Sequence, residues 1–322
     1  MKRNKWVVGT LMAVLIVLGA CSSKEGVAGS DEKIKIGTLN FIEHESLTAA
    51  EEGFYQALAD NGYVEGKNIE IESVNAQGAQ DNLNPMAEQL AKNNDLILSL
   101  GTATTQALAN VEKEKPIIFT AVTDPVDSGL VESKDAPGKN ITGTSDYMPI
   151  DKQIDLLLSL DEEAESVGVI YNSSEANSAI QAEEAIELIE DSGLRAVVTT
   201  ITSTNDVQQN LSSIAKDIDL LYIPTDNTIA STMPTVKDIT IKNNIPSVLG
   251  APEMVDAGGL ATYSIDYTSI GYQAGEIAVE ILKGNTKPAT TPYQNAEELI
   301  LVVNEEVAEA LEIDPSSIKI PK

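Results

Sequence analysis

The chain has 322 residues, with 21 Lys and Arg against 50 Asp and Glu, and a formal net charge of −29. So acidic a body repels phosphate backbones, and no basic cluster reverses the sign locally, which excludes nucleic acid as a partner. One His and one Cys leave little for a thiolate or imidazole metal centre or a Ser-His-Asp hydrolase.

Met1-Lys2-Arg3-Asn4-Lys5 gives a charged start, residues 6–18 are apolar but short for a membrane span, and small residues precede Cys21. That order describes a secretory signal. The ending Leu18-Gly19-Ala20-Cys21 resembles a lipoprotein signal box, in which Cys21 is acylated and becomes the mature N-terminus. Residues 1–20 then read as the signal peptide and 21–32 as the lipidated Cys and a flexible tether, which puts the protein on the outer face of the cell membrane. Removal of Lys2, Arg3 and Lys5 leaves 21 − 3 = 18 basic and 50 acidic side chains, a net −32. With Cys21 the only Cys, no disulfide can form within the mature chain.

The rest is longer than a usual single domain, so two domains are expected. Residues 33–39 alternate as a first strand, and residues 40–46 form a loop at its carboxyl end. Residues 49–61 are helical and stop at Asn61-Gly62; residues 68–74 read as a strand and 85–92 as the core of a helix. The apolar runs 96–100 and 117–119 lack polar alternation, as strands buried on both faces of a parallel sheet do. A helix over 102–110 lies between them. Residues 136–143 are turn-rich, and 137–143 within them predict the first crossover between the domains. The alternation restarts with helices over 150–160, 174–192, 207–215 and 228–243 and strands over 167–171, 195–199, 220–223, 247–249 and 260–265. A helix over 269–283, a strand over 299–304 and a short helix over 305–311 close the chain. The pattern is α/β: two doubly wound parallel-sheet, Rossmann-like domains.

A late segment passing back between the domains makes this pattern resemble the type I periplasmic-binding fold, with three hinge strands and a ligand in the cleft. The expected lobes are residues 33–144 plus 266–292 and residues 145–265 plus 293–322. Five phrases resemble one family, the substrate-binding lipoproteins of ABC importers of the tryptophan/tyrosine-binding type: Phe119-Thr120-Ala121-Val122-Thr123-Asp124-Pro125-Val126, Pro137-Gly138-Lys139-Asn140-Ile141-Thr142-Gly143, Val169-Ile170-Tyr171-Asn172-Ser173-Ser174-Glu175-Ala176-Asn177-Ser178, Tyr222-Ile223-Pro224-Thr225-Asp226-Asn227-Thr228 and Leu260-Ala261-Thr262-Tyr263-Ser264-Ile265-Asp266-Tyr267. They span nearly all of the mature chain in the family's order. Ser264 departs from the pattern, where glycine is more frequent. The resemblance implies capture of a small solute, an aromatic amino acid (Trp, Tyr or Phe), and its delivery to a permease with a cytoplasmic ATPase, without cofactor or catalysis. A monomer is the default. A short peptide, a branched-chain amino acid or a nucleoside in the same fold, or a sensor for a membrane signalling partner, are the alternatives.

A zwitterionic amino acid needs donors for its carboxylate, an acidic group for its ammonium and an apolar or aromatic surface. Thr102, Thr104 and Thr105 begin a predicted helix whose free N–H groups suit a carboxylate, though plain N-capping explains them equally. Thr123 and Asp124 end the next strand. Asp124, Asp226 and Asp266 each follow an apolar run at an edge predicted to face the cleft, and any one could hold the ammonium. The resemblance favours Asp226 and Asp266, since its phrases centre on them. Asn177 lies one turn into the long helix, and Ser174 either contacts ligand or caps that helix. Asn40 and Phe41 occupy the corresponding loop of the first domain, Phe41 as a stacking face, with Tyr147, Tyr171 and Tyr267 as alternatives. His44 reads as a solvent-facing loop residue or a contact at the cleft mouth. No phosphate loop and no nucleophile elbow is present.

Overall fold

The computed structural model describes residues 33–320, so the signal, the tether and Cys21 lie outside the described residues. The first domain runs β1 (Ile34–Asn40), α1 (Glu45–Asp60), β2 (Ile69–Asn75), α2 (Gln80–Asn93), β3 (Leu96–Leu100), α3 (Thr102–Val111), β4 (Ile117–Thr120) and β5 (Ile141–Ser145). The second runs α4 (Ile150–Leu158), β6 (Ser166–Asn172), α5 (Ala176–Asp191), β7 (Arg195–Ile201), α6 (Val207–Ile214), β8 (Leu220–Ile223), α7 (Asn227–Ala230), α8 (Met233–Asn243), β9 (Ser247–Leu249), α9 (Pro252–Asp256) and β10 (Ala261–Ile265). The chain then returns: α10 (Tyr267–Leu282) packs along α1, β11 (Gln294–Asn295) joins the first sheet, and β12 (Leu299–Val303) with α11 (Glu305–Ala310) completes the second domain.

The sheets have the orders β11-β5-β4-β3-β1-β2 and β12-β10-β9-β8-β6-β7, related by the same winding. Among the described residues every pair is parallel except β10 with β12, where the last strand runs antiparallel along the edge. β3, β4, β8 and β9 are buried throughout, which explains their unbroken apolar runs: helices cover both faces and leave no wet side for polar alternation. The two sheets are connected three times, through residues 146–149, through Asp266 and through 296–298.

Two local readings differ from the structure. The turn-rich stretch 136–143 runs into a strand, β5, and the passage to the second domain follows it. Gly143 lowers the strand signal, yet glycine is required there, because a Cβ at 143 would sit 1.8 Å from the Phe119 carbonyl oxygen. The single helix predicted over 228–243 is two, broken at Ser231 and Thr232, with Pro234 in the first turn of α8. In the return segment, α10 lies so close to α1 that a Cβ at Gly271 would meet the Ala50 carbonyl oxygen at 1.9 Å and one at Gly53 would meet that of Thr268 at 2.2 Å. Glycine on both helices thus permits a backbone-to-backbone crossing that binds the return segment to the first domain.

Candidate ligand-binding site between the domains

The carboxyl ends of β1, β4 and β5 face those of β6, β8, β9 and β10, the edge at which open α/β sheets take ligands. Side chains from both rims converge on a tight, mostly enclosed space between the domains. His44, Ser46, Leu47, Ala121 and Asp146 line it from the first domain. Asn177, Thr225, Asp226, Asn227 and Met254 line it from the second, and Tyr267 stands at the crossing between them.

The start of α1 points into this space. Its first intrahelical bond runs from the Thr48 N–H to the His44 carbonyl, so the N–H groups of Ser46 and Leu47 precede the helical ladder at the positive end of a sixteen-residue helix. Asp146 leaves β5 buried at 1% exposure. The Tyr267 hydroxyl donates to its Oδ2 at 3.0 Å, while Oδ1 has no partner among the described residues. Burial raises the Asp146 pKa, opposed by the bond from Tyr267; Thr123 lies close enough to favour the charge as well, without completing a hydrogen bond to Oδ1. Asn177, one turn into α5, spends its Nδ2 on the Thr225 carbonyl at 2.8 Å and leaves Oδ1 without a donor. His44 Nδ1 is likewise buried and unpartnered.

A carboxylate pair stands on the second domain's side, Asp226 at the cavity wall and Glu175 behind it. Glu175, fully buried, accepts at Oε1 from Asn172 Nδ2, from the Thr228 N–H and from Thr228 Oγ1, and at Oε2 from the Asn227 N–H and Nδ2. Asp226 spends both oxygens on the backbone, Oδ2 on the Asn172 N–H at 2.6 Å and Oδ1 on the Ile229 N–H at 2.8 Å. Burial first, and then the nearby Glu175 charge, push the Asp226 carboxyl well above its ordinary range. Asn227 carries the network across the cleft, its Oδ1 lying 3.0 Å from His44 Nε2.

Residues 35–317 match the family described as ABC transporter substrate binding protein. The chain belongs to that family. This binding protein is 38% identical to the tyrosine-binding protein of Clostridioides difficile strain R20291, over 98% of its own length and 95% of that relative's. A Streptococcus pneumoniae structure in complex with L-Trp superimposes with a TM-score of 0.84 at 35% identity, covering 90% of this chain and 99% of that one. A ligand-free, open substrate-binding protein with adhesive properties from Clostridium difficile is 39% identical yet superimposes at only 0.66, covering 87% and 95%. A leucine-binding protein from Thermotoga maritima, 14% identical with a TM-score of 0.58, shares the fold alone.

Of the twelve residues the sequence nominated for the ligand, the binding protein brings Asn177 and Asp226 to the cavity. Thr123 stands next to it, beside Asp146. Asn40 is buried and accepts from the Ile42 N–H, and Phe41 packs into the first domain's core with Leu39 and Leu83. Thr104 and Thr105 turn their hydroxyls back onto the Gly101 carbonyl and Ser99, while Thr102 is buried at the start of α3. Asp124 accepts from the Val126 and Asp127 N–H groups and shapes a turn; Asp266 accepts from those of Thr268 and Ser269 as the N-cap of α10. Ser174 is exposed, and so is Tyr147, at 46%. Asp146 and Ser46 were not nominated. The signal for Asp146 is its place after β5, which the turn-rich, glycine-containing sequence of that strand hides. Tyr267, weighed only as a stacking surface, contributes its hydroxyl to the carboxylate it holds.

Proposed function

We propose that this chain binds a free aromatic amino acid (Trp, Tyr or Phe) in the interdomain cleft, outside the membrane, and delivers it to an ABC permease driven by a cytoplasmic ATPase. In this reading it acts as a monomer, anchored by lipid on Cys21, and catalyses no reaction. The observation that carries the ligand class is the cluster of unpartnered acceptors, Asp146 Oδ1, Asn177 Oδ1 and His44 Nδ1, on one cavity that also receives the N-terminus of α1. Acceptors with one buried carboxylate among them suit an ammonium, and the adjacent N–H groups of Ser46 and Leu47 suit a carboxylate. Leu47, Ala121, Ala251 and Met254 offer an apolar surface for a ring. The names of the tyrosine-binding relative and the tryptophan complex support the same choice.

Calorimetric titration with tryptophan, tyrosine, phenylalanine, leucine and a nucleoside should give saturable heat with at least one aromatic amino acid and much weaker binding of leucine and nucleoside. Heat from the nucleoside or leucine alone would remove the aromatic assignment. For the anchor, Cys21→Ala should shift the protein from the membrane fraction of cells to the soluble fraction. Unchanged retention would assign the attachment to something other than a lipid on that thiol.

A further inference from the structure

His44 is the sole histidine, and it stands where the two domains meet. It precedes α1 in the first domain; Asn227 opens α7 in the second, 183 residues later. His44 also separates two spaces, lining the cavity on one side and the acidic grooves at its mouth on the other.

The hydrogen-bond chain determines what each ring nitrogen can do. Glu175 Oε2 only accepts and lies 2.5 Å from Asn227 Nδ2, so the Asn227 amide must present its NH2 to Glu175 and its Oδ1 to His44. That oxygen accepts, hence His44 Nε2 carries the hydrogen. In a neutral ring Nδ1 is then a bare lone pair, buried, lining the cavity and without a partner among the described residues. We propose that His44 is a positioning residue coupling ligand recognition to closure: Nε2–H holds the domains together on Asn227 while Nδ1 accepts a hydrogen bond from a donor on the bound ligand. The inference rests on the amino-acid reading, in which the donor is the α-ammonium or a ring O–H or N–H.

The groups around the ring are acidic or neutral. Glu43 and Glu45 flank it in sequence, Glu253 faces it from α9 at the groove, Asp226 and Glu175 stand behind Asn227, and Asp146 and Tyr267 form another part of the cavity wall. Burial nevertheless pushes the His44 pKa down to about 4, against the bond to Asn227, which raises it. The ring is therefore neutral at neutral pH, and its Nδ1 lone pair is available to accept.

Because there is one histidine, protein labelled with 15N-histidine reports on this ring alone. At neutral pH, where burial already keeps the ligand-free ring uncharged, adding saturating tyrosine or tryptophan should leave the hydrogen on Nε2 and move the Nδ1 resonance to that of a hydrogen-bonded acceptor. His44→Ala and Asn227→Ala should each raise the ligand dissociation rate at least about tenfold, the scale of one buried hydrogen bond, and the double variant should be little worse than either. His44→Gln, which cannot titrate, serves if the alanine variant melts early. A loss for tyrosine and tryptophan but not phenylalanine identifies the ring donor, and an equal loss for all three identifies the ammonium. Aromatic binding that leaves the Nδ1 resonance unmoved, or that comes with additive variants, overturns this inference and leaves the amino-acid reading intact. If the native chain binds no aromatic amino acid, that reading falls and the inference falls with it.

Discussion

Asparagine in place of Asp146 is expected to weaken amino-acid binding by about 2–5 kcal/mol, the cost of removing one partner of a buried, hydrogen-bonded charge pair. That is a loss of roughly thirtyfold to several thousandfold in Kd. The substitution is nearly isosteric and its amide oxygen can still accept from Tyr267, so thermal stability should hardly change. The pH dependence gives a second signature. Burial raises the Asp146 pKa in the ligand-free site, whereas an ammonium beside Oδ1 favours the ionised form. Binding then expels a proton below the raised ligand-free value, so affinity falls as pH drops through that window and is fully present above it. Calorimetry from about pH 4 to 8 should show this slope for the native chain and lose it in Asp146→Asn. Equal affinities, or slopes that persist in the variant, would move the ammonium to another acceptor.

Much of the architecture was readable because buried parallel strands advertise themselves. The runs at β3 and β4 left no ambiguity of period, and the Asn61-Gly62 stop marked the end of α1 with Gly62 at positive φ. Short or glycine-containing strands were harder. β5 was hidden by Gly143, which is there for closeness to Phe119, and β11 has two residues and no period at all. The site was legible in outline, as strand ends facing strand ends, but not in its roles. A carboxylate after a strand can cap a helix, brace a turn or meet a ligand, and only partners distinguish these. Asp226 braces Asn172 and Ile229, Asp266 caps α10, and Asp146, with one oxygen free, is the one left to reach outward. Those partners lie far along the chain: Tyr267 is 121 residues from Asp146, and no local pattern encodes that distance.

The largest effect on stability is expected at a residue that touches no ligand. Glu175 is fully buried and accepts five hydrogen bonds from Asn172, Asn227 and Thr228, so its carboxylate organises the turns after β6 and β8 together. Glu175→Ala would strand several buried donors at once. Each costs about 1–3 kcal/mol when none can reach water, and partial relaxation makes about 3–5 kcal/mol a reasonable total. For a chain of this size the melting temperature should drop on the order of 10 °C. Glu175→Gln should rescue little, because either orientation of its amide turns an NH2 toward groups that are themselves donors. Ligand affinity should fall in parallel, since Asn227 loses the contact that orients it toward His44. The native pair also sets a pH trend. The Asp226 pKa is raised in the folded state by burial and then by the Glu175 charge, so the folded chain holds that proton more tightly than the unfolded chain, and stability declines as pH rises through the window between the two. Removing the Glu175 charge should flatten the decline, seen as a smaller difference between urea midpoints at pH 5 and pH 8. A Gln variant with native melting and an unchanged pH slope would mean that the five donors find other acceptors, and that the network is not what fixes the second domain's half of the site.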